Sequence, residues 1–261
     1  MVWEGLRQAV NNAPAGGTVA VSARLLGADE RWSAYGDRPV SAASTIKVAI
    51  LIAVAEAFDH GRLDDEQRAS VSPADKVAGS GVLNWLHDGL TLTVADLAWL
   101  MIAISDNTAS NMLIDRVGID AIHAICARLG ATGTRLNRHF MRPRGPDDHN
   151  IVTADDLATL LTAIAEDRAA SPDRCAWMRR LLADQQDRDR LARLLPEGVA
   201  FAGKSGWQTG ISHDCALLTG QGGTIAIAAL TEGYADHHQA NDLLGRIGQA
   251  AGAVVAGASD A

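Results

Sequence analysis

The order of periodicities along the chain predicts an α/β fold of the α+β type. An antiparallel sheet is built from both chain ends and flanked by helices, with an all-α lobe inserted between them. Three observations carry this. Strand-like alternation occurs near the start, at Thr18–Leu26, and again near the end, from Val199 to Thr231. A long block of helical periodicity lies between the two. Alternating strand–helix–strand units, which would build a doubly wound parallel sheet, are absent.

Taken in order, residues 2–12 read as a short helix with Trp3, Leu6 and Val10 on one face. Thr18–Leu26 is a strand and Arg31–Tyr35 its hairpin partner. Thr45–Phe58 is an unbroken apolar helix. Helices follow at about 93–104, 107–117, 119–129, 153–166 and 173–184, with Thr93, Asp106 and Thr153 as entry caps. Strands return at Val199–Lys204, His213–Thr219 and Thr224–Thr231, the last two joined by a tight turn over Gly220–Gly223. A final helix spans about 236–256. Residues 137–152 form the longest irregular stretch, and loops of this size in compact proteins are often functional. The whole chain, 1–261, reads as one catalytic domain, with a sheet lobe of about 1–58 and 196–261 and a helical lobe of about 59–195.

Composition excludes several function classes. With 261 residues, 48% hydrophobic and 21% charged, the chain can bury a large core. Its 23 basic and 31 acidic side chains give a net charge of −8 with no basic stripe, so no nucleic-acid partner is expected. The longest apolar runs, Val48–Ala55 and Leu97–Ile104, fall far short of the ~20 residues that span a bilayer, so no membrane partner is expected either. The start, Met1-Val2-Trp3-Glu4, shows no basic-then-apolar leader, which favours a cytoplasmic location; a secreted protein trimmed of its leader would begin the same way. Cys126, Cys175 and Cys215 form no C-x-x-C, and the eight histidines include no H-x-x-x-H. Neither metal nor cofactor is expected.

Lysine is scarce. The chain has three, Lys47, Lys76 and Lys204, against twenty arginines. Burial can lower the pKa of lysine until it accepts protons, a property arginine lacks. Ser44-Thr45-Ile46-Lys47 stands at the head of the apolar helix, and a spacing of three puts Lys47 beside Ser44. Ser44 would lie at the positive end of that helix, where backbone N–H groups stabilise an oxyanion. Serine is a poor nucleophile until a base takes its proton, and Lys47, among Ile46, Val48 and Ile50, is placed to be desolvated enough for that. The same residues also read as a Ser N-cap followed by a snorkelling lysine.

Ser105-Asp106-Asn107 lies between two helical patterns. It is ordinary capping chemistry, with Asp106 or Asn107 as the cap. In the functional alternative Ser105 relays protons across a cleft and the Asn107 amide meets a substrate carbonyl. Lys204-Ser205-Gly206 stands at the end of a predicted strand. There Gly206 lets a ligand approach the backbone and Lys204 supplies positive charge.

In this order the three motifs resemble the S-x-x-K, S-D-N and K-T-G set of class A β-lactamases and penicillin-binding proteins. The likeness extends to Gly79-Ser80-Gly81-Val82-Leu83 with Thr91-Leu92-Thr93-Val94, to Ser105–Leu113 against S-D-N-T-A-x-N-x-L, and to Lys204-Ser205-Gly206 leading through Gly210 to His213-Asp214. It covers roughly residues 18–256 and implies a β-lactamase/transpeptidase-like fold. By that resemblance Ser44 is the acylated nucleophile, Lys47 its base and Ser105 a proton shuttle. Asn107, Lys204, Ser205 and Gly206 bind substrate, and the N–H groups of Ser44 and Trp207 form the oxyanion hole. Trp207 also lines the cleft. Trp85 stands at an aromatic gatekeeper position, with a core residue as the alternative reading. The implied partner is a small acyl molecule bearing a carboxylate that meets Lys204.

The pattern breaks at one place. Class A β-lactamases carry a loop glutamate, within E-x-x-x-N, that activates the deacylating water. Here no glutamate occurs between Glu66 and Glu166, and Phe140 falls near the expected position. Glu166 comes too late, inside the next helix. Asp147 and Asp148 are the loop carboxylates, and His139 and His149 are substitute bases or surface histidines. The resemblance therefore implies that Ser44 acylates while penicillin turnover is slow, with a compact amine or alcohol as a further acyl acceptor. Alternatives are a non-catalytic covalent penicillin sensor or trap, and a D-Ala-D-Ala carboxypeptidase, which requires export.

Overall fold

A computed structural model describes residues 2–28, 30–143, 145 and 148–257. Its centre is a five-stranded antiparallel sheet in the order β2-β1-β9-β8-β7, built from β1 (Thr18–Leu25), β2 (Glu30–Ala34), β7 (Ala200–Gln208), β8 (Ile211–Gly220) and β9 (Gly223–Glu232). Both chain ends contribute, as the periodicity predicts. Alternation along β9 gives each face its own core. Ile225, Ile227 and Ala229 join Leu6, Leu243, Leu244 and Ile247 of α1 (Glu4–Asn11) and α8 (His237–Val255). Ala226, Ala228 and Leu230 face the helical side.

The helical side is organised by α2 (Lys47–Asp59), whose apolar run from Val48 to Ala55 is buried all round. Eleven of its thirteen residues are buried. Around it pack α3 (Val94–Ala103), α4 (Asn107–Val117), α5 (Ile119–Leu129), α6 (Ala154–Ala165) and α7 (Pro172–Ala183). The predicted entry caps are in place: Thr93 closes a capping box with Asp96, Thr153 accepts from Asp156 N–H, and Asp106 accepts from Ala109 N–H.

Three local expectations are corrected. Helix α2 begins at Lys47, not Thr45, because Ser44–Ile46 form tight i→i+3 turns: Lys47 N–H donates to Ser44 O at 3.2 Å and Val48 N–H to Thr45 O at 3.2 Å. Ser44 is therefore not a side-chain cap. Strand β7 runs four residues past Lys204, so the Lys-Ser-Gly motif lies inside a strand rather than at its end. The long irregular stretch ends in a short strand, β6 (Ile151–Val152), paired with β3 (Val40–Ser41); β4 (Arg68–Ser70) pairs with β5 (Thr91–Thr93). Of the loop carboxylates, Asp147 lies outside the described residues.

Asp106 does more than cap α4. Its second oxygen accepts from Val82 N–H at 2.7 Å and Leu83 N–H at 2.9 Å, tying residues 82–83 to the start of α4. The side chain is fully buried, and a Cβ on Gly81 (φ +110°) would fall 2.3 Å from its carboxylate. Asp106→Ala leaves three N–H groups unpaired and should cost about 3 kcal/mol of stability, the sum of a lost cap and buried unmade bonds. Urea unfolding checks this; a loss below about 1 kcal/mol would mean that water replaces the carboxylate freely.

Candidate active site

One cavity of about 320 Å³ opens where the sheet edge meets the helical lobe. It is lined by Ser44, Ser80, Ser105, Gln185, Asp187, Ser205, Gly206 and Trp207, with Ala103, Ile104 and Gln186 completing the wall. The motifs at 44, 105 and 205 thus converge, although they lie far apart in the chain. The contact that brings them together is the close passage of β7 over the turn before α2. A Cβ on Gly206 would fall 2.7 Å from Ser44 N, so only glycine fits there.

Lys47 is fully buried at the floor of this region. Its Nζ lies 2.8 Å from Ser105 O, 3.0 Å from Ser105 Oγ and 2.9 Å from Asn107 Oδ1, and 4.5 Å from the centre of the Phe140 ring. Burial, followed by the charge of Lys204, pushes its pKa well below the ordinary lysine value; Asp106 opposes this. Nζ donates to all three partners, two of them pure acceptors and the third the Ser105 hydroxyl.

The structure differs from the spacing argument on one contact. Among the described residues no hydrogen bond joins Ser44 Oγ to Lys47 Nζ; the lysine is bonded to Ser105 and Asn107 across the cleft. Spacing puts the two side chains on one helical face, and partners sixty residues away settle where Nζ points. Catalytic hydrogen bonds commonly tighten only when substrate binds.

Asn107 is held at both ends, accepting from Lys47 and donating to Ala78 O at 3.2 Å, and it lies behind the cavity wall. Lys204 is also fully buried, donating to Ser205 O at 2.7 Å. Burial lowers its pKa to about 8, opposed by nearby Asp214. Asp214 in turn is pushed up to about 7 by burial, with one oxygen accepting from Leu191 N–H at 3.1 Å and the other unpartnered.

Two backbone N–H groups of β7 point away from β8. The Gln185 amide, oriented with its oxygen toward Ser205, accepts from Ser205 N–H at 2.6 Å and donates to Ala103 O and Ile102 O. Ser205 N–H therefore faces away from β8, and strand alternation turns Trp207 N–H to the same free edge. Trp207 is 59% exposed, with its ring 6.0 Å from His237. Further back, Thr231 N–H donates to His213 Nδ1, which puts the ring proton on Nε2, within 2.9 Å of Ser41 O; this ties the segment before Ser44 to the sheet. Ala43 (φ +43°), Ser105 (φ +59°) and Met141 (φ +56°) hold left-handed backbone beside Ser44, Asp106 and Phe140, the clustering of strain typical of working sites.

Other predicted residues fall elsewhere. Trp85, on a single 3-10 turn (Leu83–Trp85), is 81% exposed and outside the cavity lining, so it is not a core residue. His139 bonds Asp115 at 2.7 Å beside a different cavity. Asp148 is exposed and His149 half-buried, both outside the cavity lining. Glu166 terminates α6 and pairs with Arg168. Phe140 is nearly buried, its backbone clamped by both ends of the Asn111 amide at 2.8 and 3.0 Å. Sequence reasoning missed this clamp, and it missed Gln185, Asp187 and Arg190. Among the described residues no cluster of His, Cys, Asp and Glu is arranged to hold a metal, and no helix is long and apolar enough to cross a membrane.

Fold and site together put the chain in the class of serine β-lactamase-like hydrolases. Residues 2–255 match the model of the β-lactamase enzyme family, and the chain belongs to that family. A β-lactamase of Rhodobacter capsulatus is 26% identical over 259 residues, covering 92% of this chain and 84% of that protein. The β-lactamase of Sphaerobacter thermophilus DSM 20745 is 42% identical with a TM-score of 0.91, covering 95% of this chain and 96% of that one. A PBP-A mutant, seen as an acyl-enzyme complex with penicillin G, is 25% identical with a TM-score of 0.87, covering 97% and 95%.

Asp214 makes stability depend on pH. Its carboxyl titrates near 3.9 when unfolded and at about 7 when folded. Between these values the native state holds a proton that the unfolded state lacks, so this group's contribution is present below about pH 4 and is lost as pH rises to 7. Unfolding free energies of the wild type minus those of Asp214→Asn should therefore fall across pH 4–7. A flat or rising difference would show that Asp214 is ionised in the fold.

Proposed function

We propose that the protein is an active-site-serine hydrolase or acyltransferase working through a Ser44 acyl-enzyme on a lactam, amide or ester, with slow β-lactam turnover. The observation that carries this is the fully buried Lys47 amine, its proton affinity lowered by burial, bonded to Ser105 at the edge of a cavity that Ser44 lines. In acylation Ser44 Oγ attacks the acyl carbon and its proton passes to Lys47 Nζ. The N–H groups of Ser44 and Trp207 hold the oxyanion. As the bond to the leaving nitrogen or oxygen breaks, Ser105 hands that atom a proton and takes one back from Lys47. Hydrolysis then adds water to the acyl carbon and returns Ser44; an amine or alcohol taking the place of water gives acyl transfer.

The second half is the slow one on this reading. The ring of Phe140, not a carboxylate, stands against Lys47. A phenyl ring takes no proton from water, which also favours a second reading, a covalent penicillin trap. A steady-state nitrocefin assay separates them, since a trap gives one stoichiometric burst and an enzyme a continuing rate.

Fluorescent penicillin should label the wild type at Ser44 by mass spectrometry and leave Ser44→Ala unlabelled. Lys47→Ala should slow labelling by about 10²–10⁴-fold, the usual range for removal of a general base. Labelling at another residue, or none with any penicillin or activated ester, removes the reading. Phe140→Glu should raise steady-state penicillin turnover by about 10²-fold or more. An unchanged rate with normal acylation would place the deacylation defect elsewhere.

A further inference from the structure

A separate cavity of about 380 Å³ lies where the β1–β2 hairpin meets the start of α6, and it shares no residue with the one that Ser44 lines. Its lining is Ser22, Arg24, Arg31, Trp32, Ser33 and Asp155. Strand alternation explains why. Ala20 faces the helical core, so Ser22 and Arg24, two and four residues on, face the same way. Register then fixes what stands across from them: Ser33 opposite Ser22, and Arg31 directly opposite Arg24. The Trp32 side chain is turned to the other face and packs against the core under α1 and α8.

Like charges placed directly opposite on an antiparallel pair repel each other. A carboxylate between them would offset this, and here the offset is incomplete. Asp155 is the carboxylate on the cavity wall, and its Oδ1 accepts from Ser33 Oγ at 3.0 Å. Arg24 reaches only the main chain of that residue, with Nη2 3.5 Å from Asp155 O. Among the described residues the Arg31 guanidinium has no hydrogen bond or ion pair. Burial lowers the proton affinity of Arg24; Asp155 and, more weakly, Asp156 oppose this, while Arg31 and Arg168 add to it. Arg168 is paired with Glu166, and Asp156 already accepts from Thr134 Oγ1 at 2.8 Å. Two guanidinium groups are thus left to share one carboxylate. Ser22 adds a second vacancy: it is 3% exposed and lines the cavity, and among the described residues its hydroxyl has no partner.

We propose that this cavity is an oxyanion site, in which Arg24, Arg31 and Ser22 bind a tetrahedral phosphate group, either free or at the end of a phosphate monoester. Neighbouring strands lie about 4.8 Å apart, so the two opposed guanidinium groups can reach one anion. A carboxylate has oxygens for one guanidinium fork, whereas a phosphate has enough for two forks and a hydroxyl. The bound anion supplies the missing countercharge. It also ties the hairpin to α6, at the place where Asp155 N–H donates to Gly36 O at 2.9 Å. Because the site makes no use of Ser44, this inference stands apart from the acyl-enzyme reading.

Thermal unfolding at constant ionic strength, with inorganic phosphate exchanged for chloride, tests it. A ligand of the native state alone raises Tm saturably, by about 3 °C at ten times its Kd for a chain of this size. The wild type should show that rise, and Arg31→Gln and Arg24→Gln should each lose most of it. In chloride, Arg31→Gln should unfold no earlier than the wild type, because one of two opposed cations is gone. A wild-type Tm that stays flat, or climbs without saturating, overturns the inference. So does a rise that either variant keeps in full, since excluded salts stabilise a fold without any site. Arg31→Gln unfolding well below the wild type in chloride also overturns it, by showing that the protein already neutralises Arg31. Methyl phosphate separates the two sources, and both results support the site: an equal rise assigns a monoester end, and a rise with inorganic phosphate alone assigns the free ion.

Discussion

The site depends on one amine at the buried start of a helix whose surface is confined to its last turn. Lys47 begins α2, and the residues after it up to Ala55 are apolar core. A charged ammonium there would be costly, so the fold and the proton affinity of the lysine are linked: the packing that stabilises α2 also keeps Nζ able to accept a proton. Its three polar partners hold it without favouring the charged form as a carboxylate would. The Phe140 ring faces it but supplies only a weak attraction, about 0.5–2 kcal/mol for a cation over an aromatic face.

A second constraint comes from the sheet edge. Strand β7 must pass within van der Waals reach of the turn before α2, which Gly206 permits and any side chain would block. That approach puts a free-edge N–H near Ser44, and it also carries Lys204 into the interior. Burial works against that ammonium, and nearby Asp214 on the neighbouring strand and Asp187 work the other way. The electrostatic character of the cleft is thus a consequence of how closely one strand approaches one turn.

Much of this was legible in the sequence where information is local. The caps Thr93, Asp106 and Thr153, the alternation of β1, β8 and β9 and the apolar run of α2 each depend on neighbours a few residues away, and each lies close to where pattern reasoning puts it. The two-residue strands β3 and β6 are too short for a period to show. Lys47 escapes the same reasoning in a different way. Its helical face follows from spacing, but the direction of Nζ is set by Ser105 and Asn107, some sixty residues on. Asp187-Arg188-Asp189-Arg190 shows no motif in the sequence, and Asp187 and Arg190 gain their partners only because Ser205 and Ser212 arrive from the sheet. Trp85, read as a gatekeeper or core residue, protrudes because the 3-10 turn that carries it is anchored through Leu83 instead.

On the proposed acyl-enzyme reading, acylation and deacylation draw on different parts of the architecture. The groups for the first step are fixed by core elements: α2, the start of α4 and strand β7. The group for the second would come from the loop around residue 140, which Asn111 clamps through its backbone whatever side chain it bears. That separation means the loop side chain can change while the backbone at residue 140 and the passage of β7 stay where they are. A clamp that reads only main-chain atoms lets the fate of the acyl group vary while the means of forming it stays constant.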